Sequence, residues 1–182
     1  MVLELHVPRG ASLHVLRPLV PVALSYLLSF VILGIYWNNH HHMLQATTRV
    51  NGAVLWANLH LLFWLSLFPF ATGFMGENHF ATVPTICYGV VLLAAAFAYY
   101  LLKTAIIAAQ GQDSTLAVAL GRDLKGKASP VIYLVAIAAG TVERWAAVAL
   151  YVVVALMWLV PDRRVESRLN ASAVAAADPG SS

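Results

Sequence analysis

The segment GIYWNNHHHML (34–44) places Trp37, Asn38, Asn39, His40, His41 and His42 at the end of a long apolar run. Imidazoles ligate metals and carry protons near neutral pH. Three chemistries are therefore open: a metal site, a proton relay, or the polar end of a membrane helix. A metal centre needs several ligands converging on one point. Neighbouring residues on an α-helix point about 100° apart, so His40, His41 and His42 cannot share one ion while helical. No carboxylate lies near them in sequence, and His6, His14 and His79 fall on the other side of the membrane in the topology derived below. His60, a few turns into the next apolar segment, could approach one of the three. A membrane-embedded, His-based metal or haem enzyme is thus the alternative reading, with no metal site assigned. The single cysteine, Cys87, excludes an intramolecular disulfide and a cysteine cage.

The elements that position this cluster follow from charge. Of 182 residues, 60% are hydrophobic and 10% charged, against about 25% charged in ordinary soluble domains. An integral membrane protein of a single domain is implied. Windows free of Asp, Glu, Lys and Arg run from Arg17 to Arg49, Arg49 to Glu77, Glu77 to Lys103, Lys127 to Glu143 and Arg144 to Asp162. A spanning helix needs about 20 apolar residues. The windows predict spans over 18–39, 53–75 and 83–102, and a tight hairpin of helices over 128–142 and 145–160 with Glu143 and Arg144 at its turn. One long bent helix over 128–160 is the competing reading. Pro84 and Pro130 are placed near helix starts, where a missing N–H costs nothing. Pro69 lies within its span and predicts a kink.

Lys and Arg give the orientation. With the loop after the first full span in the cytoplasm, that side holds Arg49, Lys103, Arg122, Lys125, Lys127, Arg163, Arg164 and Arg168. The other side holds Arg9, Arg17 and Arg144. Basic residues collect on the cytoplasmic side, so the histidine cluster and the C-terminus are expected there. Lys103 is read as a snorkelling residue at the cytoplasmic helix end. Asp113 or Ser114 could cap a short helix in the polar loop 108–128. The membrane domain is expected over 1–161, with a cytoplasmic, disordered tail over 162–182. The opening MVLELHVPRG reads as the end of a helix, broken by Pro8 and Gly10, whose beginning is missing.

Four stretches carry a family likeness: LELHVP (3–8), LSYLLSFVILGIYWNNHH (24–41), LWANLHLLFWLSLFPFATGFMGE (55–77) and LYVVVALMWLVPDRR (150–164). Together they resemble the bacterial relatives of the endolysosomal potassium channel transmembrane protein 175. The second and third stretches are the specific ones. The resemblance implies a helical bundle of six spans with both termini in the cytoplasm, assembled as a homotetramer around an axial pore. The pore is lined by the first helix, which begins with an Arg-x-x-x-Phe-Ser-Asp motif and continues with bulky apolar residues. That motif is absent here. The fold class expected is therefore an all-α integral membrane protein: five spans plus the C-terminal part of a first, pore-lining helix.

The function implied is passive potassium conduction through an apolar constriction, with no catalytic residue and no cofactor besides the permeant ion. Conduction of the chain as given is expected to be weak or absent. Leu3 and Val7 are the implied pore-lining positions. Trp37, Asn39, His40, His41, Trp56 and Asn58 are the implied hydrogen-bonding clasp that holds the pore helix. For all of these, an interfacial belt of aromatic and polar residues is the plainer reading. Trp56, His60 and Trp64 recur every four residues and share a helix face, read as a packing stripe. Expected partners are membrane lipid and further copies of the chain, not nucleic acid, with the protein placed as a multi-pass component of the cell membrane.

Overall fold

A computed structural model describes residues 20–111 and 124–159, apart from the side chains at positions 21, 22, 24 and 25. Leu3, Val7, the loop cap at Asp113 or Ser114 and the 162–182 tail lie outside the described residues. Within them the chain is all-helical: α1 (Val20–Gln45), α2 (Gly52–Ser66), α3 (Phe68–Glu77), α4 (Thr82–Gln110), α5 (Leu124–Gly140) and α6 (Arg144–Leu159).

α1 runs past the predicted end at 39 and carries all three histidines. Between Gly34 and Gly52 the sequence has no glycine or proline to stop it. It ends where the Thr47 hydroxyl donates to the Met43 carbonyl at 2.9 Å. Asn51 then caps α2, its side chain accepting the Val54 N–H at 3.0 Å. The Pro69 kink is present as a break at Leu67. Pro69 occupies the first turn of α3, where its lost N–H has no intrahelical partner to miss. α2 and α3 together, 26 residues with mean hydropathy 1.6, are long and apolar enough to cross a membrane. So is α4, with 29 residues and mean hydropathy 2.1. It is closed by Gly111, whose φ of +95° suits a residue without a side chain.

Two expectations are corrected. Pro130 lies inside α5 rather than at its start, because the helix begins upstream, at Leu124, and takes Lys125 and Lys127 into its first turn. Lys103 does not snorkel at a helix end. α4 continues two turns beyond it, leaving the residue 7% exposed with its Nζ 5.4 Å from the centre of the Tyr100 ring, a cation–π distance.

The last apolar stretch is the hairpin, not one bent helix. The Glu143 carboxylate accepts the Trp145 N–H at 3.0 Å, and α5 and α6 return against each other. A Cβ on Gly140 would lie 3.2 Å from Cβ of Ala147, so glycine sets how closely the hairpin closes. Between α3 and α4, His79 and Phe80 adopt left-handed φ values of 51° and 56°, and the Phe80 ring packs 5.5 Å from that of Trp145.

α4 is the hub. α2, α3, α5 and α6 pack on it, and α1 packs on α3. Its buried face includes Tyr88, Leu92, Ala95, Leu102 and Ile106, spaced by the helical period. The outside of the bundle carries Leu27, Phe30, Leu59, Phe63, Phe97, Leu134, Val153 and Leu156 exposed, while Ser29, Thr72, Thr85, Lys103 and Ser129 are buried. Apolar residues this widespread on an exterior would aggregate in water; facing lipid tails they are at no disadvantage.

Candidate functional site

The C-terminal end of α1 is where the singled-out residues gather. α1 and α2 are not close-packed along their lengths. One side-chain hydrogen bond joins them: His40 Nε2 and Asn58 Oδ1 lie 2.7 Å apart. With Asn58 presenting its carbonyl oxygen, His40 donates through Nε2–H. A second fastening comes from α4, where Gln110 Nε2 donates to the Ala46 carbonyl at 3.2 Å.

The remaining residues of the proposed clasp are arranged differently. Asn39 turns back on its own helix, donating to the Ile35 carbonyl at 2.8 Å. Trp37 and His41, one turn apart, stack with ring centres 5.2 Å apart and planes 13° from parallel. Both face outward, Trp37 at 63% exposure. Trp56 is 74% exposed, so the stripe it would share with His60 and Trp64 is not packed within the chain at that end. Among the described residues no group of three or more His, Cys, Asp or Glu could hold a metal ion. On a helix the three adjacent histidines diverge, as their spacing requires.

Two features were not legible as site features. His60 accepts the indole N–H of Trp64 on its Nε2 at 2.9 Å, so it has a partner on its own helix face. The i, i+4 spacing was the available signal, and the hydrogen-bonding capacity of the pair was the part to add. The Gln110–Ala46 contact joins residues 64 apart in sequence, and no local pattern announces it.

Comparison with known proteins bears on this region directly. The family model described as endosomal/lysosomal potassium channel TMEM175 matches residues 1–69, a stretch that includes His40, Asn58 and every other residue named for the clasp. A protein of Chryseobacterium sp. (strain P1-3) named as a potassium channel is 47% identical over 170 residues, covering 93% of this chain and 88% of the relative. One from Chamaesiphon minutus, also named a potassium channel, is 29% identical over 170 residues, covering 86% and 83%. A third, from Streptomyces collinus, is 29% identical over 107 residues, covering 54% and 52%. No solved structure matches. The family is one of channels rather than enzymes, which sets aside the metal or haem enzyme. With nearly its whole length aligned to the Chryseobacterium protein, the chain belongs to the TMEM175 potassium channel family.

Proposed function

We propose that the chain is a subunit of a potassium channel of the cell membrane, conducting K⁺ passively through a pore on the axis of a homotetramer. The observation that carries this reading is the 47% identity over 170 residues with a relative named a potassium channel. In this reading Leu3 and Val7 face the axis, and apolar side chains rather than backbone carbonyls form the constriction. Such a constriction acts by dehydrating the ion, so its diameter and polarity set the barrier. The C-terminus is cytoplasmic in this reading, which the eight-to-three distribution of basic residues supports.

The His40–Asn58 hydrogen bond is assigned as the clasp, with Trp37, Asn39, His41 and Trp56 around it. Support for it is physical. Polar groups at membrane depth need partners, and this bond is the direct side-chain link between two helices that otherwise barely touch. The exposed faces of Trp37, His41 and Trp56 are left for lipid headgroups or a neighbouring subunit.

The test is ion flux in liposomes containing the purified chain. A weak flux that favours potassium over sodium is the expected result, and Leu3→Ala or Val7→Ala should raise the sodium share by widening the constriction. Protein-containing vesicles that pass sodium and potassium equally would refute the assignment. Orientation is tested separately. After replacement of the native, exposed Cys87, cysteines at Thr47 and Gly126 should label from the cytoplasm and one at Asn78 from outside.

A further inference from the structure

The bundle holds a cavity of about 50 Å³ among α1, α4, α5 and α6. Tyr36 of α1, Tyr88 of α4 and Tyr133 of α5 all line it. Tyr88 is 1% and Tyr133 4% exposed. Several other polar groups at the cavity are already engaged. The Tyr151 hydroxyl donates to the Thr85 carbonyl at 3.2 Å. Ser129 Oγ donates to the Lys125 carbonyl at 2.7 Å and accepts the Trp158 indole N–H at 2.8 Å. Asn39 donates to its own helix.

The hydroxyls of Tyr36, Tyr88 and Tyr133 differ. None makes a hydrogen bond with another described residue. None is sealed inside packed atoms either. Among the described residues, the fully enclosed side-chain atoms without a partner are Ser29 Oγ and Thr85 Oγ1. Each of the three phenols therefore meets open space, and the space they share is the cavity.

Leaving a buried hydroxyl without a partner is costly, and within a bilayer bulk water is not at hand to relieve it. Three such groups around one cavity call for an occupant that can both donate and accept. The volume decides its size. A water needs roughly 10–15 Å³ measured this way, so the cavity takes about three. A benzene-sized guest needs a cavity of the order of 150 Å³, about three times this volume.

We propose that the interior of the subunit binds a cluster of about three ordered water molecules, hydrogen-bonded to the hydroxyls of Tyr36, Tyr88 and Tyr133. A phenol offers one proton and accepts others, and a water offers two and accepts two. Three waters and three hydroxyls can therefore satisfy one another without a further protein group. The cluster is a structural ligand of the fold.

The sign of a stability change tests it. Hydrated, Tyr88→Phe and Tyr133→Phe each leave the waters short of a partner, and the melting temperature in detergent should fall by about 2–6 °C. If the cavity is dry, the same variants remove an unpaired hydroxyl and the melting temperature rises, which would overturn the proposal. A high-resolution map of the intact protein gives the second reading, free of any variant. Density for water within hydrogen-bonding distance of the three hydroxyls is expected. An acyl chain, or no density, in that space would overturn it.

Discussion

The α5–α6 hairpin and the α1–α2 junction join helices by opposite means. In the hairpin, glycine at 140 lets two backbones close on each other, and the Tyr151 hydroxyl is spent on the Thr85 carbonyl of α4. At the junction, two helices that scarcely pack are linked by one imidazole and one amide. Close packing resists displacement in every direction and depends on volume. A single hydrogen bond depends on direction and proton position, and it can be made or broken as a unit. The difference teaches that the α4–α5–α6 side is built as a fixed body, whereas the end of α1 is held by a contact that chemistry can address.

That contrast breaks most easily at Gly89. A Cβ there would overlap the Tyr151 hydroxyl and stand 2.9 Å from Ile137 Cγ1. Gly89→Ala must push Tyr151 off the Thr85 carbonyl, and overpacking of this kind costs about 1–3 kcal/mol besides the lost hydrogen bond. The expected outcome is a large fall in melting temperature, read by fluorescence-detected size exclusion after heating. A protein as stable as the parent would show that the hairpin side is not tightly packed.

The junction is addressed by a double-mutant cycle on His40 and Asn58. His40→Ala and Asn58→Ala should each destabilise the fold by about 1–2 kcal/mol, with the double variant little worse than either single one, because both remove the same bond. Fully additive losses would mean that the bond contributes nothing of its own. Flux measured on the same variants tells whether the junction also matters to conduction.

The smallest effect is expected at Trp56. Its exposed ring has little to lose within the chain, and Trp56→Leu should shift monomer stability by less than about 0.5 kcal/mol. A drop in oligomer size on native gels, with monomer stability intact, would sharpen the comparison by assigning that ring to a neighbouring subunit.

The helices were largely legible in the sequence, because charged residues are too costly in lipid to be scattered and so mark where the spans begin and end. Pro69 announced the break at Leu67, and Glu143–Arg144 announced the hairpin turn. The His40–Asn58 partnership was foreseeable as a set of candidates, since polar side chains near apolar spans need partners. Which candidates meet was not. Asn39 and Asn58 have the same side chain, and only the helix phase sends one back to Ile35 and the other to His40. Lys103 was misread because a lysine between an apolar run and a polar loop marks a helix end only if the helix stops there, and α4 continued through residues of good helix propensity. Pro130 was misread in the same way from the other side. The tyrosine cavity left no trace at all. Tyr36, Tyr88 and Tyr133 are separated by about fifty residues each, and convergence of that kind depends on the packing angles of three helices.

The break at Leu67 gives α2 the mechanics of a lever. α3, beyond the break, packs on α1, while the side-chain hydrogen bond from α2 to α1 among the described residues is that of Asn58. Nine residues of helix separate Asn58 from Leu67, an arm of about 13 Å, so a swing of about 10° at that pivot carries Asn58 roughly 2 Å. The bond to His40 is 2.7 Å long and does not survive such a stretch. Because α2 is also packed along α4, such a swing must move that packing with it, so the α1–α2 link reports on how α2 sits against α4.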